Sequence, residues 1–116
     1  MPDGWDGPFT VGWIPERFTS VNCSETTGMW SLYYDDKNSR KDLSIYIWSP
    51  PLTPNINIEQ MSKESIEDIQ GSEVHIYYSV TDQIYMVLWT HNDYSIQIYG
   101  ASSAAEAKKI VENFEF

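Results

Sequence analysis

From Met29 onward the apolar positions fall in short runs separated by turn-forming clusters, whereas near the C-terminus they recur every three or four residues. The short runs, rich in Tyr, Ile, Val and Trp, are Met29 to Tyr34, Leu43 to Trp48, Val74 to Val80, Ile84 to Thr90 and Tyr94 to Tyr99. β-Branched and aromatic side chains suit a half-buried pleated surface, so each run predicts a strand. Between them lie Asp35-Asp36-Lys37-Asn38, Pro50-Pro51-Leu52-Thr53-Pro54, Gln70-Gly71, Thr81-Asp82 and Asn92-Asp93. These residues tolerate turn dihedrals or lack the amide a ladder needs. Phe9 to Trp13 and Phe18 to Cys23 read as two further strands broken at Ile14-Pro15-Glu16. In the segment Ile58 to Glu67, Ile58, Met61 and Ile66 fit neither period, so it reads as a loop leading into a short strand from Ser65 to Ile69.

At the C-terminus, Ala104, Ala107, Ile110, Val111 and Phe114 line one face of a helix spanning residues 103–115. Ser103 and Glu106 form an S-x-x-E capping box for the orphan amides of its first turn. A helix this short is marginal alone, so its apolar stripe must dock on the sheet.

Turn length decides which strand residues meet that stripe. A two-residue turn at Thr81-Asp82 sets Val80 against Gln83 and Ile76 against Val87; another at Asn92-Asp93 sets Trp89 against Ile96 and Val87 against Ile98. Val74, Ile76, Tyr78, Tyr85, Val87, Trp89, Ile96 and Ile98 then share an apolar face, the seat for Ile110, Val111 and Phe114. The opposite face carries His75, Tyr77, Ser79, Ile84, Met86, Leu88, Ser95, Gln97 and Tyr99. That set is too apolar for a solvated surface and too polar for a dry core. The expected fold class is therefore α+β, a curved, mostly antiparallel sheet of six to eight strands with the C-terminal helix packed on one face.

Composition narrows the function. At 116 residues the chain matches one domain with one core, 1–116, with a loop-like segment at 1–8. Apolar residues at 41% and aromatics at 15% exclude a disordered chain despite the net charge of -10. Seven Lys and Arg against seventeen Asp and Glu argue against nucleic acid and against direct binding to an anionic membrane surface, both of which need cations. No stretch approaches the roughly 20 apolar residues of a membrane span, and the start of the chain is acidic and glycine-rich instead of having a basic and then an apolar leader region. A single Cys23 excludes an internal disulfide and a multi-thiolate metal site.

Candidate chemistry is sparse. There is no GxGxxG, Walker A, HExxH, GxSxG or CxxC pattern, and no cofactor is expected. His75 and His91 fall on opposite faces in the pairing above, so ordinary half-exposed histidines outweigh a metal site. Asp35/Asp36 and Glu67/Asp68 are adjacent pairs that point to opposite faces of a strand, which favours solvated charge over acid/base work. Cys23 has no neighbouring His or helix N-terminus to activate it and reads as a small hydrophobe.

The order of G-W-I-P-E-R-F (Gly12 to Phe18), an aromatic strand, I-x-I (Ile45, Ile47), S-I-E-D-I-Q-G (Ser65 to Gly71), L-W (Leu88, Trp89), N-D-Y-S-I-Q-I-Y-G (Asn92 to Gly100) and a closing S-x-x-E helix resembles the bacterial domain-of-unknown-function family numbered 4367, over about Phe9 to Phe114. That resemblance implies an extracytoplasmic portion of a membrane-anchored protein of Gram-positive bacteria, at the cell surface and tethered by a segment absent from this chain. It supplies no catalytic residues, since the family has none assigned.

The mixed face therefore carries the functional expectation. Tyr77, Met86, Leu88 and Tyr99 are the candidate binding residues, because Tyr and Met are enriched where apolar patches mark interaction sites. The competing expectation is that the N-terminal strands or the loop from Pro50 to Met61 cover this face as a second half of the core. The leading function is a non-enzymatic sensing or protein-interaction domain that binds a protein partner or self-associates. A carrier of an apolar small ligand or lipid in a half-barrel-like groove comes second, and a hydrolase third.

Overall fold

A computed structural model of the chain describes residues 2–36, 42–50 and 58–116. Lys37 and Asn38 of the first expected turn, and Pro51 to Pro54 of the proline-rich break, lie outside the described residues. The elements run β1 (Thr10–Val11), β2 (Ser20–Thr26), β3 (Met29–Asp35), β4 (Leu43–Trp48), a 3-10 turn (Ile58–Gln60), β5 (Met61–Ile69), β6 (Ser72–Ser79), β7 (Ile84–His91), β8 (Tyr94–Ala101), α1 (Ala104–Glu112) and β9 (Phe114–Glu115). β2-β3-β4-β8-β7-β6-β5 form a seven-stranded sheet, and β1 and β9 form a separate two-stranded one. All pairings are antiparallel, so the α+β architecture is as expected.

The tight turns set the register. Asn92 and Asp93 both have positive φ, 48° and 68°, the type I′ signature that matches strand twist, and His91 faces Tyr94 across them. Gln70 and Gly71, at 52° and 81°, do the same between β5 and β6. The β6–β7 connection differs from the expected two-residue turn. It is a four-residue loop over residues 80–83, closed by Ser79 opposite Ile84, with the Gln83 amide donating to the Ser79 carbonyl at 2.8 Å. The two lengths give the same register, since Ile76 still faces Val87.

Gly100 is the extra residue of a bulge in β8, where pairing shifts between Tyr85↔Ala101 and Met86↔Tyr99. Its φ is +120°, and a Cβ there would sit 2.3 Å from the Asp42 carbonyl oxygen, so only glycine fits.

The helix-side face holds the core. Leu32, Leu43, Ile45, Val74, Val87, Ile96 and Ile98 are fully buried against Ala107, Ile110 and Val111 of α1. Ser103 caps α1, its hydroxyl accepting from the Glu106 amide at 3.0 Å. The Glu106 carboxylate accepts from the Ser102 amide at 2.7 Å, one residue earlier than a reciprocal capping box requires.

Four expected boundaries are corrected. The helix ends at Glu112, because Phe114–Glu115 turns away to pair with Thr10–Val11, helped by the Gly12 amide donating to the Asn113 carbonyl at 2.7 Å. Phe114 still packs as the periodicity implied, edge-on to Trp89 with ring centroids 5.1 Å apart. The strand expected over Phe9 to Trp13 is only Thr10–Val11, and that expected over Phe18 to Cys23 runs Ser20–Thr26. β5 begins at Met61 instead of Ser65; a bulge at Glu64, between Lys63↔Tyr77 and Ser65↔Ile76, breaks the alternation that would have marked it.

Candidate functional site

Register places the second face residue by residue. Tyr33, Ser44, Tyr99, Met86, Tyr77 and Lys63 lie in one row across β3, β4, β8, β7, β6 and β5; Ser31, Tyr46, Gln97, Leu88, His75 and Ile66 lie in the next. The four candidate residues thus share this face, and Tyr77, Met86 and Tyr99 are contiguous. Tyr77 (8% exposed) and Met86 (0%) are buried, while Leu88 and Tyr99 are half-buried.

α1 packs on the other side, and the N-terminal residues do too. Phe9 is buried in the helix-side cluster, and Trp5, Val11, Trp13, Ile14 and Phe18 pack against it. Covering of the second face by the N-terminal strands is therefore corrected, because their rings are spent on the helix side. Of the loop from Pro50 to Met61, residues 51–57 lie outside the described residues. Tyr77, Ile84 and Met86 are buried but stand outside the main core cluster.

Aromatic neighbours fill much of this surface. Tyr33 meets Tyr46 edge-on at 5.9 Å, and Tyr46 lies beside Trp48 at 5.7 Å. Tyr33 remains 37% exposed. These three belong to the face as firmly as the candidates do, and strand parity joined to the Ser44↔Tyr99 pairing is the signal that finds them.

Polar groups are set among the rings. The Gln97 side-chain amide donates to the Met86 sulfur at 3.1 Å. The Tyr99 hydroxyl donates to the Asp82 carboxylate, and burial together with that partner pushes the Tyr99 hydroxyl above the ordinary tyrosine range. Ser31 Oγ and His75 Nδ1 are buried without a hydrogen-bond partner among the described residues. A buried polar atom left unpaired costs free energy, about 1–3 kcal/mol. Trp30 Nε1, on the helix side, is likewise buried without a partner among the described residues, so such atoms do not distinguish the two faces.

A groove of about 400 Å³ opens on this face, lined by Glu73, His75, Tyr77, Leu88, Thr90 and Ser95 together with Trp89 and Ile96. His75 Nε2 lies 2.9 Å from Glu73 Oε1, and the imidazole is stacked near Tyr77 at 12°.

Acid/base or metal chemistry finds little here. Among the described residues no three His, Cys, Asp or Glu side chains converge as metal ligands. His91 stacks on Phe116 at 3.7 Å and meets Phe9, which places it on the face opposite His75. Cys23 is half-buried, its sulfur 3.9 Å from the Asp3 carbonyl.

The best-ordered charge cluster is a strut between segments. Arg17 grips Glu106 with two guanidinium nitrogens, one at 2.8 Å, and its Nε lies 3.6 Å from buried Asp36. Burial pushes the Glu106 carboxyl up, but bonds from Arg17 and Ser102 outweigh it and hold it below the usual carboxylate range. The cluster ties the N-terminal segment to the start of α1.

A family model described as Domain of unknown function (DUF4367) matches residues 8–114, in agreement with the resemblance carried by the order of the motifs. No curated protein and no solved structure matches the chain.

Proposed function

Because the chain belongs to the family Domain of unknown function (DUF4367), whose description names no activity, we propose a function from the two faces of its own sheet: a non-enzymatic sensing or protein-interaction domain whose second face receives a protein partner. One observation carries this reading. Tyr33, Tyr46, Trp48, Leu88 and Tyr99 keep solvent exposure on a face from which α1 and the N-terminal rings are absent. Rigid aromatic side chains with polar tips dominate protein interfaces because they bury large area at low entropic cost. The same reading sets the domain outside the cytoplasm on a membrane-anchored protein, and its acidic surface keeps it off anionic lipid.

An apolar-ligand carrier finds less support. The space between α1 and the sheet is filled by fully buried Ile45, Val87, Ile98 and Ile110, leaving no room there for a second apolar guest.

The test is photo-crosslinking in the cells that make the protein. A benzophenone side chain at position 33 or 88 is expected to yield one discrete protein adduct, and the same probe at exposed position 105 on α1 none. Adducts of equal yield from all three positions, or none from 33 and 88, would overturn the proposal.

A further inference from the structure

The groove on the second face has a composition that selects its occupant. Glu73, His75 and Tyr77 follow one another along the same side of β6, and Leu88 and Thr90 stand opposite them on β7. His75 Nε2 lies 2.9 Å from Glu73 Oε1, a contact that holds the carboxylate at the lip of the groove. The Glu73 side chain stays 68% exposed, so it is accessible from outside. Below it lie apolar Leu88 and the Tyr77 ring, with the Thr90 and Ser95 hydroxyls beside them. A second depression on the β5 side shares Glu73 and adds Glu67 and Asp68. Lys63, opposite Tyr77, is the nearby cation, and Lys108 pairs with Glu67 at 3.8 Å on the helix side.

We infer that this groove captures an arginine side chain of the partner, the guanidinium on Glu73 and the methylene stem against Tyr77 and Leu88. A guanidinium matches a carboxylate in planar, two-point geometry and stacks on ring faces, while its stem favours apolar walls. The net charge of -10 steers such a cation toward the surface. The inference rests on the interaction reading of this face and names the chemistry it selects.

The experiment is a titration of the intact domain with N-acetyl-arginine methylamide, followed by NMR of the Leu88 methyl and Tyr77 ring signals. The matched citrulline derivative, which replaces the guanidinium by a neutral urea, is the control. The arginine probe is expected to shift both residues saturably, the citrulline probe to leave them unmoved, and Glu73→Gln to weaken binding about threefold, in line with an exposed ion pair. The Glu73 side chain is exposed, and a melting curve verifies that the variant is folded. Equal shifts from both probes, no shift at either residue, or undiminished binding by Glu73→Gln would overturn the inference. Crosslinking at position 33, outside the groove, separates the two proposals. An adduct there with no arginine response refutes only the arginine chemistry, and the absence of an adduct at both 33 and 88 refutes the interaction reading.

Discussion

The two faces of the seven-stranded sheet come from the same strands but solve burial differently. On the helix side Leu32, Leu43, Ile45, Ile47, Ile76, Val87, Ile96 and Ile98 are all at 0–1% exposure, and a helix and the N-terminal rings lie over them. On the second side the central Met86 and Gln97 are buried while Tyr33, Leu88 and Tyr99 around them remain partly in solvent. Aliphatic side chains need a cover to leave water, and α1 is that cover. Tyrosines and a tryptophan cover their neighbours laterally and keep a polar tip wet. One face thus stabilises the fold, and the other leaves aromatic area partly exposed.

The contrast is sharpest where the helix side is damaged. Phe114→Ala removes a ring that is 2% exposed and packed edge-on to Trp89, and is expected to destabilise by about 3 kcal/mol or more, read as a shifted denaturant midpoint. Tyr34, buried on the same side, offers a pH test. Burial pushes its hydroxyl from 10.0 up to about 12. A raised folded value means that the stabilisation is complete below pH 10 and is lost as pH rises toward 12, because the unfolded tyrosine ionises first. Denaturation of wild type and Tyr34→Phe across that interval should show the alkaline loss from this residue only in wild type. A smaller effect belongs to the helix start, where Ser103→Ala deletes the cap on the Glu106 amide and should cost about 1 kcal/mol. If that substitution matched Phe114→Ala in a common denaturation series, helix capping and not face burial would dominate the helix side.

How much of this was legible in the sequence follows from how locally each feature is encoded. Asn92-Asp93 fixes the β7–β8 register within two residues, and Ile76↔Val87 survives the change from a two-residue to a four-residue turn because both lengths keep the pairing sum. The helix stripe is visible as a 3.6-residue period, but its end is not. Phe114 fits that period although the chain has already left the helix to pair with β1, more than a hundred residues away in sequence. β5 was half hidden because an edge strand protects itself with charges and a bulge, which erase alternation. For the site, parity put Tyr77, Met86, Leu88 and Tyr99 together, yet Tyr33, Tyr46 and Trp48 joined them only through the β4–β8 pairing, a non-consecutive neighbour relation that no local pattern encodes.

Whether the second face is a binding surface or a second core is decided by Leu88→Lys. Leu88 is half-buried and lies between Gln97 and His75, so a lysine can extend its charge to water, and the expected loss of stability is about 1 kcal/mol or less in a circular dichroism melt. In the same protein, crosslinking from position 33 and any self-association seen by sedimentation should disappear, because the lysine would occupy the groove beside Glu73 and keep the partner from closing over it. A folded Leu88→Lys variant that no longer forms the adduct is the predicted result. An unfolded variant, or a folded one that keeps the adduct, would contradict a binding surface.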